Sequence, residues 1–155
     1  MNPSHEHVKG SLDHSSLPGL DQVLDRSFLG SLRRADALRG NQVLVSFTDG
    51  GGYTASELLL QSGRLAAVFA EMGVRAGDRI VILCGNRVEF LWCMFAAAWL
   101  GAVAAPLNVS LRGMTLRHPL DELEPKLVVY ETATAESLLA CGAADSLRTI
   151  NIDTD

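Results

Sequence analysis

Cysteine is scarce in this 155-residue sequence, which contains only Cys84, Cys93 and Cys141, an odd number without a Cys-x-x-Cys spacing. Such a set predicts buried thiols in a reducing compartment and argues against a zinc site. The first residues, MNPSHEHVKGSLDHSS, also lack the apolar run of a secretory signal. We therefore expect a cytoplasmic protein.

Clustered positive charge is absent as well. The 13 lysine and arginine residues are scattered along the chain and are outnumbered by 18 aspartate and glutamate residues, which gives a formal net charge of −5. Nucleic-acid-binding domains usually gather their basic residues into a patch or stripe, so this composition does not indicate a nucleic acid partner. The length and the hydrophobic content of 48% are sufficient for one domain with a buried core.

A phosphate-binding loop is not evident in the glycine run formed by Gly50, Gly51 and Gly52. Neither the Gly-x-x-x-x-Gly-Lys-Ser/Thr nor the Gly-x-Gly-x-x-Gly spacing surrounds it. Glycine reaches the positive φ values that hairpin turns require. We therefore interpret the run as a turn between a strand at residues 42–48 and a short strand at Tyr53.

The N-terminal residues 1–18 are rich in serine and histidine and show no apolar periodicity, so we expect a flexible lead. His5, His7 and His14 could suggest a metal-binding tail, but nothing in such a segment would hold three imidazoles in a fixed geometry. The domain itself is predicted to occupy residues 19–155.

Two helices are predicted in the first half of this domain. Residues 21–39 have apolar side chains at helical spacing, with Asp21 as a candidate N-cap and Gly40 as the C-terminal stop. Thr54 and Glu57 have the spacing of a capping box, which predicts the start of a second helix.

The centre of the sequence alternates turn, strand and helix. The nearly all-apolar run RIVILC at residues 79–84 predicts a strand that is covered on both faces, as in a parallel sheet. Asn86 is predicted to cap the following helix, with Glu89 as its partner three residues later. Gly101 would end that helix before a second apolar strand, so the segment predicts a strand–helix–strand unit with a buried crossover.

The same stretch admits a second interpretation, because residues 90–107 contain no charged side chain and are long enough to cross a bilayer. Gly101 and Pro106 lie inside the supposed span, and together with its many alanines they disfavour a membrane helix. A small membrane-anchored protein is thus an alternative.

Helices and strands continue to alternate in the last third of the chain. A helix is predicted at residues 113–124, although Pro119 requires that it begin near this proline or kink there. Strands are predicted at residues 127–130 and 147–152, with a short helix between them at residues 137–141. The alternation favours an α/β fold with a doubly wound, mostly parallel sheet and flanking helices.

Four motifs, in order, resemble those of one family. They are YTASEL at residues 53–58, GVRAGDRI at residues 73–80, NRVEF at residues 86–90 and WLGAVAAPLN at residues 99–108. The sequence is thereby similar to the AMP-forming acyl-CoA synthetases, within the adenylate-forming group (the ANL superfamily) that includes luciferases and the adenylation domains of peptide synthetases. The resemblance covers roughly residues 21–130.

The resemblance implies that this chain is an incomplete N-terminal portion of the large domain of a carboxylic acid–CoA ligase, ending before the phosphate-binding loop. The complete family enzyme uses ATP and Mg²⁺ to form an acyl-adenylate and then transfers the acyl group to CoA. We expect this chain to bind no cofactor by itself, to hold no catalytic, cofactor-binding or metal residue, and to be inactive alone. Its residues then serve as scaffold, with a core formed by Val81, Leu83, Phe90, Phe95 and Val103.

Two further expectations concern the surface. His118 is assigned to the surface rather than to a general base, because the sequence identifies no partner carboxylate or nucleophile for it. A sheet without its flanking strands would expose an edge, which predicts self-association. The same edge supports an alternative function, a non-catalytic interaction module that pairs with a separately encoded remainder.

Overall fold

The computed structural model describes residues 27–48, 51–142 and 146–154, which contain five α-helices and six strands. In chain order they are α1 (Phe28–Arg39), β1 (Val43–Ser46), β2 (Gly52–Thr54), α2 (Ala55–Glu71), β3 (Arg79–Leu83), α3 (Val88–Leu100), β4 (Val103–Pro106), α4 (Gly113–Leu123), β5 (Leu127–Tyr130), α5 (Ala135–Ala140) and β6 (Thr149–Asn151). A 3₁₀ turn (Thr132–Thr134) directly precedes α5.

Four strands form a parallel sheet in the order β4-β3-β5-β6. Val81 of β3 lies opposite Ala105 of β4 on one side and Val128 of β5 on the other. The chain passes from β3 through α3 to β4 and then returns through α4, across β3, to β5. The predicted α/β fold with a parallel sheet and flanking helices is confirmed.

The side chains of β3 alternate between two cores, one on each face of the sheet. Ile80 and Ile82 pack with Phe69 of α2 and with residues of α3. Val81 and Leu83 pack on the opposite face with residues of α4 and α5. Because both faces are covered, β3 can be apolar from Ile80 to Leu83, as the RIVILC run predicted.

The hairpin and the first helix pack against α3. β1 and β2 pair antiparallel, as the glycine run predicted. The ring of Phe28 stacks on that of Phe95, with centroids 4.2 Å apart.

The capping box predicted at the start of α2 is also confirmed, because Thr54 Oγ1 accepts from the Glu57 N–H at 3.2 Å and the Thr54 N–H donates to Glu57 Oε2 at 2.8 Å.

The start of α1 differs from the prediction. Ser27 is its N-cap, and Ser27 Oγ accepts from the Gly30 N–H at 2.9 Å. The predicted cap Asp21 and the histidines of residues 1–18 lie outside the described residues. The predicted C-terminal stop at Gly40 is confirmed.

The start of α3 also differs. The N-cap residue is Arg87, which makes no side-chain capping bond, so the prediction that Asn86 caps this helix is wrong. The carboxylate of Glu89 does not reach back to a capping residue's N–H, because it accepts a hydrogen bond from Arg87 Nε at 2.7 Å. The predicted stop at Gly101 is confirmed, with φ of 66° in the left-handed region.

The predicted core is confirmed with one exception. Val81, Leu83 and Phe95 are buried, and Phe90 is partly buried against the core that contains Ile80 and Ile82. Val103 is 51% exposed, so its assignment to the core is wrong. β4 is an edge strand of the described sheet, and its residues have a sheet neighbour on one side only.

The outer edge of β4 offers few backbone donors. Val103 and Leu107 donate their N–H groups inward, to the carbonyls of Asp78 and Ile82 at 2.7 and 3.0 Å. Strand alternation therefore directs the backbone groups of Ala104 and Pro106 outward. Since proline has no N–H, Ala104 supplies the one outward donor of this strand.

Two further interpretations are settled by the helix bounds. α4 runs from Gly113 through Pro119, so it does not begin at the proline, and the carbonyl of Thr115 lacks the helical donor that residue 119 would supply.

The stretch considered as a membrane span, residues 90–107, is divided between α3 and β4. Among the described residues, no helix has both the length and the apolar character needed to cross a membrane.

Candidate functional site

The carboxyl ends of the four parallel strands meet at one edge of the sheet. β3 and β5 are neighbours there, yet the helices that follow them, α3 and α5, pack on opposite faces. In open α/β sheets, ligands bind in the crevice at such a change of direction. The candidate site is therefore built from the loops at residues 84–87 and 131–134.

Arg87 fills this crevice together with three carboxylates. Its Nε lies 2.7 Å from Glu89 Oε2, and its Nη1 lies 2.5 Å from Asp153 Oδ1 and 3.6 Å from Glu131 Oε2. The four side chains are between 14% and 34% exposed, so water screens these charges only in part. Three negative charges around one positive charge leave the crevice with a net negative charge.

The hydrogen bonds favour the ionised forms of Arg87, Glu89 and Asp153. The pKa of Asp153 is lowered, first by the backbone N–H of Thr132, which donates to Oδ2 at 2.8 Å, and then by Arg87. Partial burial opposes ionisation of Glu89, but the hydrogen bond from Arg87 and other favourable contacts outweigh it and lower the pKa. The bond to Glu89 in turn raises the pKa of the guanidinium.

Gly85 and Thr134 line the rest of the crevice. A Cβ atom on Gly85 would lie 3.4 Å from Glu131 Oε1. At the base, Thr134 Oγ1 donates to the carbonyl of Leu83 at 3.1 Å. The position at which many α/β sheets hold a ligand is thus occupied by the protein's own groups.

Two adjoining cavities, of about 300 and 320 Å³, lie beside this crevice. Both are lined by Asn86 and Phe90, and together they are called the Phe90 groove below. The first cavity is otherwise lined by Cys84, Gly85, Leu107, Asn108 and Val109. The second is otherwise lined by Val45, Ser46, Phe47, Thr48 and Leu91, so no lining side chain in the groove carries a formal charge at neutral pH.

Cys84 lies at the floor of the groove, where β3 ends. Burial, followed by the nearby carboxylate of Glu131, raises the pKa of this thiol to about 12. A thiol of that pKa is almost entirely protonated at neutral pH and is a poor nucleophile. The burial and the raised pKa of Cys84 therefore disfavour its use as a nucleophile.

The structure places the considered histidine away from this edge. His118 lies on α4 and is exposed. Within residues 27–48, 51–142 and 146–154, no three His, Cys, Asp or Glu side chains are grouped so that they could hold a metal ion. The absence of catalytic and cofactor-binding residues from this chain stays a prediction.

Sequence reasoning missed the cluster around Arg87. Glu131 and Asp153 follow two predicted strands, and Arg87 follows a third, so all three were placed at strand ends by the sequence alone. In a parallel sheet those ends share one edge. Charged residues directly after several parallel strands were the signal that could have brought these side chains together.

The fold with this edge defines a class of protein. The O-succinylbenzoate coenzyme A synthetase of Bacillus subtilis, solved in complex with AMP, superposes with a TM-score of 0.69 at 25% identity, over 79% of this chain and 31% of that chain. The parallel sheet and its helices are thus those of an adenylate-forming ligase.

Sequence comparison gives the family. Residues 32–155 match the AMP-binding enzyme family, and the chain belongs to it. A 2-succinylbenzoate–CoA ligase of Oceanobacillus iheyensis is 34% identical over 70% of this chain and 22% of its own length. The medium/long-chain-fatty-acid–CoA ligase FadD6 of Mycobacterium tuberculosis is 31% identical over 77% of this chain and 20% of its own length. The chain thus spans about a fifth of the length of these relatives.

Proposed function

We propose that this chain forms the N-terminal framework of an AMP-forming carboxylic acid–CoA ligase. The observation that carries the proposal is the family match over residues 32–155, combined with a sheet that superposes on a solved ligase. The two curated relatives are named for different acids but for one reaction type, the joining of a carboxylic acid to CoA.

The proposed reaction has two steps. The carboxylate attacks the α-phosphorus of ATP, which forms an acyl-adenylate and releases pyrophosphate. The thiol of CoA then attacks the acyl carbon, and AMP leaves as the thioester forms. In the complete ligase, bound Mg²⁺ would offset the charge of the ATP phosphates.

The residues described here do not fit the triphosphate. Stabilising the transferring phosphate requires cationic groups and backbone donors aimed at its oxygens. In the crevice between the ends of β3 and β5, Arg87 is already engaged by Glu89, Glu131 and Asp153, and the cluster has a net negative charge. The proposed role of this region is therefore to position strands and helices. The groups that bind ATP are proposed to lie outside it.

ATP–pyrophosphate exchange tests this proposal. The purified chain is assayed with 2-succinylbenzoate, decanoate and 4-coumarate, and exchange at background is expected for every acid. A chimera is assayed in parallel, in which this chain replaces the matching region of the Bacillus subtilis synthetase. The chimera is expected to exchange, because the framework is supplied here and the phosphate-binding groups by the remainder.

Each arm has an opposing outcome. Exchange by the chain alone would show that it contains the catalytic groups and would overturn the framework role. A chimera that folds, as judged by its circular dichroism and its thermal melt, but does not exchange would contradict the assignment to this reaction.

A second candidate function is a non-catalytic module that pairs with a separately encoded remainder. The exposed edge at β4, where the side chain of Val103 is 51% exposed, favours it. Co-purification with a chain that carries the phosphate-binding loop is the expected result. We place either assembly in the cytoplasm, in keeping with three cysteines that are unpaired in the structure.

A further inference from the structure

We draw no further inference here: the strongest candidate, the apolar Phe90 groove at the carboxyl ends of β3 and β4, belongs to a chain that spans about a fifth of the length of its relatives, and nothing in the structure shows what covers it.

Discussion

The guanidinium of Arg87 lies 2.5 Å from the carboxylate of Asp153, although the two residues are 66 positions apart in the chain. Arg87 precedes α3, and Asp153 follows β6 at the far side of the sheet. Asp153 also accepts from the backbone N–H of Thr132, so one carboxylate joins the ends of three segments. The contact holds together the loops that form the crevice between the ends of β3 and β5.

This contact makes stability depend on pH in the acid range. The pKa values of Asp153 and Glu89 are lowered on folding from ordinary values of 3.8 and 4.5. Their stabilising effect is complete above the unfolded pKa values and is lost as the pH falls through the folded ones, because the unfolded chain then binds more protons. Thermal melts between about pH 6 and pH 2.5 should show a falling midpoint, and the Asp153→Asn/Glu89→Gln double variant should show a shallower fall. Parallel slopes in the two proteins would contradict this account.

Two valines on neighbouring strands should differ in their effect on stability. Val81 is fully buried between two helical layers, whereas Val103 is 51% exposed. Val81→Ala should lower the free energy of unfolding by about 2 kcal/mol, because it leaves a cavity in close-packed core. Val103→Ala should change it by less than about 0.5 kcal/mol. Urea unfolding measures both, and equal losses would show that β4 is covered in solution.

Two glycines should respond to alanine with opposite signs. Gly101 has φ of 66°, and an added Cβ would lie 3.3 Å from Ala76 Cβ, so Gly101→Ala should destabilise the fold by about 1–2 kcal/mol. Gly63 lies within α2, and its Cβ would meet Trp99 at an ordinary 3.9 Å. Gly63→Ala should therefore stabilise by about 0.5–1 kcal/mol. A loss at both positions in urea titrations would argue that Trp99 packs more tightly than described.

The three thiols should react at different rates. Cys84 and Cys93 are buried, and burial raises the pKa of each, whereas Cys141 is half-buried. Iodoacetamide at pH 8 should modify Cys141 first and should reach the other two only when denaturant is added, because the thiolate is the reactive form. Mass spectrometry of the native chain over time checks the order, and early modification of Cys84 would show that its sulfur is accessible from the groove.

Local signals in the sequence were sufficient for much of the fold. Thr54 and Glu57 define a helix start by contacts within one turn, and Gly101 defines an end by its own backbone preference. The apolar run of β3 is equally local, since burial on both faces removes any need for alternation. These features depend on neighbours in sequence and were predicted correctly.

The predictions were wrong where contacts between distant parts of the chain determine the local structure. The cap predicted at Asn86 failed because Arg87 pairs with Glu89 and also with Glu131 and Asp153, which are more than 40 positions away. Val103 lies in an apolar run like that of β3, but strand order places it at an edge, and strand order is not written in a short segment. The Phe90 groove likewise needs the hairpin and two strand ends to be brought together.

Pro106 limits the pairing of the outer edge of β4 with other strands. An edge strand pairs with an incoming segment through the amides of alternate residues, and here the proline nitrogen interrupts that row after Ala104. Self-association along this strand, if it occurs, should stop at small oligomers rather than continue into fibrils. Pro106→Val would restore the missing amide and should strengthen pairing of this edge with a second strand.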